Sequence, residues 1–138
     1  MDKKAFFRKL NSPTSVQIEI TELCNSNCIH CYNFWRKENS GKRTLSYYEI
    51  DLIVAELLKN GIFSVVVTGG EPLLFKKKAF YLIKKLANEG VRVSLNTNAT
   101  LLDFSTAKTL KEIGLSSILV SLPSFRKESY EKIAGRDS

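Results

Sequence analysis

The sequence predicts an α/β fold built on a parallel sheet, and three observations carry that prediction. One unit recurs: "GIFSVVVTGGEP" from Gly61, "GVRVSLNTNAT" from Gly90 and "GLSSILVSLPS" from Gly114 each place a glycine, a β-branched apolar run and then small polar residues. Each glycine also closes an amphipathic helical segment, so strands and helices alternate strictly. Runs such as "FSVVV" and "SSILV" are near-continuously apolar, as a parallel sheet buried on both faces by right-handed helical crossovers requires.

The elements follow in order. A first strand, "VQIEI" from Val16 to Ile20, leads directly into "TELCNSNCIHC". The first helix begins near Ser46, where "SYYE" pairs Ser46 with Glu49 as a capping box and Leu45 with Ile50 as a hydrophobic staple. Its apolar face runs through Ile50, Ile53, Val54, Leu57 and Leu58 and stops at Gly61. A second helix is predicted roughly over Lys76 to Glu89 and a third from about Asp103 to Ile113, stopped by Gly90 and Gly114. The order amounts to four βα-type units, and no change of composition marks a second domain or a linker. The polar loops "TELCNSNC", "TGGEP", "NTNAT" and "SLPS" all follow the C-terminal end of a strand. In parallel α/β folds chemistry is placed at that edge, so these four loops are expected to share one site.

Composition narrows the class. At 138 residues, 43% hydrophobic and 25% charged, the chain has the make-up of one globular domain with a core to bury. No apolar run approaches the roughly 20 residues of a membrane-spanning helix. The stretch "MDKKAFFRKLNSP" has a two-phenylalanine patch where a secretory signal needs roughly 7 to 15 apolar residues. No membrane partner is expected, and a cytoplasmic location follows. The formal charge of +7 is read mainly as solvated helix surface, since "FKKKAFYLIKKL" sets lysines opposite Phe80, Ile83 and Leu86. An acidic partner such as a nucleotide or an acidic peptide is the sharper alternative. Aromatic and basic residues do not interleave as on an RNA-binding strand, so nucleic acid is not expected.

All three cysteines, Cys24, Cys28 and Cys31, lie in one short loop with the only histidine, His30. In a reducing compartment an odd set of thiols points to ligation or catalysis, not to a disulfide framework. Thiolates select zinc, copper(I) or iron-sulfur clusters. A structural zinc site wants four protein ligands, usually two close pairs from separated segments. Here no second pair exists, and His30 sits beside Cys31, where adjacent residues reach one tetrahedral ion only with strain. Three thiolates on a cubane cluster leave one iron open to a small chelating molecule, which is a catalytic arrangement.

Cys24, Cys28 and Cys31 form a C-x3-C-x2-C loop, followed at the next strand end by "GGEP" from Gly69 to Pro72. Together these motifs resemble the radical S-adenosylmethionine (radical SAM) superfamily. The resemblance covers nearly the whole chain, since "NTNA" is similar to the family's third-strand T-N-G stretch and "VSLPS" to its fourth-strand S-hydrophobic-D stretch. The sequence departs from the pattern at Ala99, where the family usually has glycine, and at Pro123, where it usually has aspartate. The fold implied is a parallel (β/α) partial barrel of six βα units. Residues 1–138 would be the N-terminal portion of that core domain, truncated after about four units, with "AGRDS" falling where the next long helix is expected to start.

The resemblance also implies the chemistry. Cys24, Cys28 and Cys31 would hold three irons of a 4Fe-4S cluster, and S-adenosyl-L-methionine would chelate the fourth through its amino and carboxylate groups. An electron from the reduced cluster would cleave the sulfonium and give a 5'-deoxyadenosyl radical that abstracts hydrogen from substrate. A small reductant protein of the flavodoxin or ferredoxin type would supply that electron. Gly69 and Gly70 are expected to let the backbone approach the methionyl group, with Glu71 and Pro72 fixing the loop; a plain strand-to-helix turn is the alternative. His30 occupies the position of an aromatic residue whose backbone meets adenine, and is read as a packing and hydrogen-bonding residue. Thr97 and Ser121 sit where similar proteins contact cofactor or substrate, although each is equally a satisfied turn residue. Tyr32, Phe34 and Trp35 are candidates to shield the cluster, or ordinary packing.

For substrate, "CNSNCIHCY" and "SLPS...YEKIAG" look most like enzymes that modify peptides or build cofactors, and peptide modification is the first expectation. A molybdenum-cofactor type of cyclisation is the alternative, since "VSLPSFRKESYEKIAGRDS" also resembles that family. The arginine expected there seven residues before the first cysteine is Gln17 here. A third possibility is a non-catalytic regulatory protein that binds a metal or cluster.

Overall fold

A computed structural model describes residues 12–33 and 43–135. The elements are β1 (Ser15–Glu19), α1 (Tyr47–Lys59), β2 (Ser64–Thr68), α2 (Lys76–Asn88), β3 (Arg92–Thr97), α3 (Phe104–Glu112), β4 (Ser117–Val120) and α4 (Lys127–Ala134). The four strands lie in the order β1-β2-β3-β4 and every pair is parallel. A sheet that advances one strand at a time without reversing has no switch point, so crossovers of one hand put the helices on one face. That is barrel winding, as expected for a partial (β/α) barrel.

Local chemistry accounts for the helix ends. Ser46 caps α1: its Oγ accepts from the Glu49 N–H at 3.2 Å, and Glu49 Oε2 accepts from the Ser46 N–H at 2.8 Å. A single 3-10 turn, Pro72–Phe75, leads into α2. Asp103 caps α3 by accepting from the Thr106 N–H at 2.6 Å. Gly61, Gly90 and Gly114 follow α1, α2 and α3 with positive φ, as the sequence predicts.

The core lies between the sheet and its helices. Register aligns Ile18 with Val67, Val65 with Val93 and Val67 with Leu95 on one face. These pack with Ile50 and Val54 of α1, Ala79, Leu82, Ile83 and Leu86 of α2, and Leu110 of α3. The expectation of strands buried on both faces needs correction. The opposite face carries Gln17, Glu19, Val66, Ser94 and Asn96, which are half-buried or exposed. β2 and β3 alternate in burial because the helices cover only one side. β4, read as the most buried type of strand, is exposed along its whole length. Nothing among the described residues packs beyond it. A further departure is α4, which occupies "KESYEKIA" ahead of "AGRDS", where no helix was predicted. No helix among the described residues is long and apolar enough to cross a membrane.

Candidate functional site

The cysteine loop leaves β1 at the C-terminal edge of the sheet and is held there by its neighbours' backbones. The Gly70 N–H donates to Thr21 O at 2.6 Å, and the Glu71 N–H donates to Leu23 O at 2.8 Å. A Cβ at Gly70 would fall 1.9 Å from Leu23 O and 2.9 Å from Cys24 N; one at Gly69, where φ is +146°, would fall 2.5 Å from Thr21 O. Only glycine permits this approach. The two glycines therefore make room for the protein's own cysteine loop, whatever further contact they make with a cofactor. Leu23 is tied in addition through its N–H to Thr21 Oγ1 at 3.1 Å.

Glu71 organises the layer beneath. It is fully buried, and its carboxylate accepts from the Leu73 N–H at 3.0 Å, Thr97 Oγ1 at 2.8 Å and the Asn98 N–H at 2.8 Å. These three donors satisfy most of what a buried carboxylate needs. Thr97 is buried too, and its hydroxyl also accepts from the Ala99 N–H at 3.0 Å. Its side chain thus belongs to the support of the loops. From the same turn Asn98 Nδ2 donates to Asn25 Oδ1 at 2.8 Å and Ser26 Oγ at 3.3 Å, inside the cysteine loop. Asn25 Nδ2 closes the circuit on Thr100 Oγ1 at 2.8 Å.

The remaining expected site residues are less enclosed. Ser121 is exposed and its N–H donates to Thr97 O at 2.9 Å, continuing the sheet ladder. His30 is exposed, so the packing role expected for it is not seen among the described residues. Tyr32 is also largely exposed, and its hydroxyl donates to Glu19 Oε1 at 3.3 Å. Asn33 beside it is 1% exposed; its Nδ2 donates to Glu19 Oε1 at 3.0 Å and its Oδ1 has no partner among the described residues. Phe34 and Trp35 lie outside the described residues.

Thr21, Asn25, Asn98 and the end of α4 were not anticipated. The asparagines were visible as "CNSNC" and "NTNAT", but their partners are more than 70 residues apart in sequence. No local pattern pairs them.

The donor set fits a cluster. The three thiols are half-buried, none is in a disulfide, and all come from one loop braced on both sides. Among the described residues no three His, Cys, Asp or Glu side chains are grouped to hold a single metal ion. Soft thiolates in threes suit the irons of a 4Fe-4S cluster, with one iron left for a ligand from outside the protein.

The sequence profile described as the Radical SAM superfamily matches residues 18–138. The chain belongs to that superfamily. Radical SAM proteins are enzymes that use a 4Fe-4S cluster and S-adenosylmethionine. Among curated relatives, the probable GTP 3',8-cyclase of Pyrococcus abyssi is 36% identical over 124 residues, covering 90% of this chain and 39% of that protein. The probable GTP 3',8-cyclase of Methanococcus vannielii is 35% identical over 136 residues, covering 98% of this chain and 44% of that protein. The radical SAM chain described here thus spans about two fifths of the length of these relatives. Among solved structures, Streptococcus suis SuiB bound to precursor peptide SuiA aligns with a TM-score of 0.74 at 21% identity, covering 91% of this chain and 28% of that one. At that identity the likeness establishes a shared fold, the partial radical SAM barrel.

Proposed function

We propose that residues 1–138 form the N-terminal portion of a radical SAM core whose Cys24, Cys28 and Cys31 hold the 4Fe-4S cluster. The carrying observation is the cysteine loop itself: three thiols in one loop whose backbone is seated on Gly69, Gly70 and Glu71. When bound, cluster and cofactor supply reductive cleavage of S-adenosylmethionine to a 5'-deoxyadenosyl radical that takes hydrogen from substrate. The protein's residues position and shield. Gly69 and Gly70 bring the β2 loop against the cysteine loop, Glu71 and Thr97 fix both to β3, and Ser121 and the His30 backbone lie on the rim open to cofactor. Electrons come from a small flavodoxin- or ferredoxin-type protein in the cytoplasm, where thiols stay reduced.

Peptide modification is the substrate reading proposed first. The uncovered sheet face offers Gln17, Glu19, Ser94 and Asn96, hydrogen-bonding groups suited to amides. Among the described residues of that face the sole cation is Arg92, at the start of β3 and away from the loops. A triphosphate calls for clustered cations. GTP 3',8-cyclisation is the second reading, favoured by what the curated relatives are named for and opposed by Gln17 in place of the expected arginine.

The test uses anaerobically reconstituted protein. Wild type is expected to bind about four irons with broad charge-transfer absorption and, with dithionite, to form 5'-deoxyadenosine. Cys28→Ala is expected to lose both. Full iron and sulfide in Cys28→Ala, or stoichiometric zinc in the wild type, would overturn the assignment. Stimulation of 5'-deoxyadenosine formation by GTP but not by peptides would exchange the two substrate readings.

A further inference from the structure

The cysteine loop meets a second backbone, that of α4, at its C-terminal end. The Asn27 N–H donates to Ala134 O at 2.9 Å and the Ile29 N–H donates to Ile133 O at 3.0 Å. Gly135 ends α4 at φ +61°, and a Cβ there would fall 2.4 Å from Asn27 O. Helix end and loop are thus in direct backbone contact on both sides of Cys28, with no side chain between them.

Two electrostatic consequences follow, with the same sign. Hydrogen bonds to the sulfurs of an iron-sulfur cluster help set its reduction potential, because a donor favours the more negative, reduced form. Here the N–H groups of Asn27 and Ile29 are committed to α4 carbonyls. The Cys31 N–H donates to Cys28 O at 3.2 Å and the Leu23 N–H to Thr21 Oγ1 at 3.1 Å. Four amides of the loop region are therefore occupied by oxygen. In addition, the C-terminus of a helix carries partial negative charge, which opposes adding an electron nearby. We propose that α4 clamps the cysteine loop through Ile133, Ala134 and Gly135, positioning residues that keep the cluster strongly reducing. Cleaving a sulfonium by one-electron transfer calls for such a cluster.

The inference rests on the assignment of the three cysteines to a 4Fe-4S cluster, and its test separates the two. Iron and sulfide content with charge-transfer absorption establish the cluster in the wild type. A potentiometric titration with dithionite as electron donor, followed by electron paramagnetic resonance, then gives the midpoint. Gly135→Ala puts a methyl group against Asn27 O. Gly61→Ala is the control, since Gly61 has a similar φ of +65° and nothing within 4 Å of its Cβ position. The expected result is a positive shift of the midpoint in Gly135→Ala and none in Gly61→Ala. An unchanged or more negative midpoint in a folded, iron-replete Gly135→Ala overturns the proposal. Should that variant not fold, amide hydrogen exchange in the wild type decides. Slow exchange at Asn27 and Ile29 in the cluster-free protein supports the clamp. Fast exchange there, slowed only by loading the cluster, means that the cluster and not α4 takes these N–H groups, and the proposal fails.

Discussion

Ala99 has φ of 60°, the sole non-glycine residue with positive φ among the described residues. A Cβ in this conformation crowds the following carbonyl, at a cost of roughly 1–2 kcal/mol. The turn bears it because its neighbours are over-determined: Thr97 Oγ1 receives the Ala99 N–H, and the Asn98 side chain accepts from both the N–H and the hydroxyl of Thr100. Glycine relieves the strain but gives back part of the gain in unfolded-chain entropy. Ala99→Gly is therefore expected to stabilise the fold by about 0.5–1 kcal/mol, read as a higher urea midpoint with an unchanged slope. A lower midpoint would mean that the methyl group packs more than the backbone is strained. At this scale the cysteines were legible, since ligand spacing is local. The support of Glu71 by Thr97 and Asn98 was not, because Glu71 follows β2 whereas Thr97 and Asn98 lie at the end of β3, more than 20 residues further on.

Helix α1 illustrates what short-range sequence determines. Ser46 and Glu49, three residues apart, form the predicted capping box, with Arg43 paired to the same carboxylate. The Ser46 backbone N–H, the Ser46 hydroxyl and then the Arg43 guanidinium hold the Glu49 carboxyl down to about 2, against an ordinary value of 4.5. A carboxyl depressed on folding contributes stability that is present above its unfolded value and lost as pH falls through its folded one. Glu49 should thus steepen the loss of stability between about pH 4.5 and about pH 2. Glu49→Gln keeps an acceptor but removes the charge, so its acid limb is expected to be shallower in that window and its stability at pH 7 lower. Thermal melts across the window measure both; parallel curves would mean that the box holds no charge-dependent energy. Asp103 is lowered in the same direction by the Thr106 N–H at the start of α3. α4 went unread at this scale: it is eight residues long, with no side-chain cap, and too little of it is apolar to show a helical stripe.

The sheet as a whole has an unbalanced edge. β1 finds a partner past its end where Thr21 bridges Thr44. β4 instead presents Ile118, Leu119 and Val120 at 38%, 62% and 44% exposure, with Leu122 exposed just beyond. An apolar strand with an open edge templates pairing with another chain. We propose that further strands cover it in a complete core. A polypeptide of these 138 residues alone is then expected to self-associate, with light scattering that grows with concentration. Leu119→Lys should suppress that growth, and added strands beyond β4 should abolish it. A monodisperse, cooperatively folding 138-residue monomer would show that four strands suffice.

What the sequence determined by itself was everything that repeats or lies close along the chain: the βα alternation, the capped start of α1, the glycine stops, and the loops gathered at one sheet edge with three thiols among them. Periodicity, caps and ligand spacing act over a few residues, so they survive in a one-dimensional string. Tertiary structure alone decided which face of the sheet is covered, since an apolar run looks the same beside one helix layer or two. It also decided that Gly70 accommodates Leu23 and Cys24, that Asn98 reaches Asn25, and that Ile133 and Ala134 receive the amides of Ile29 and Asn27. Those contacts join segments far apart in sequence: the first and last run through backbone groups that every residue possesses and so leave no signature in residue order, and the Asn98 to Asn25 bond joins side chains that no local spacing pairs.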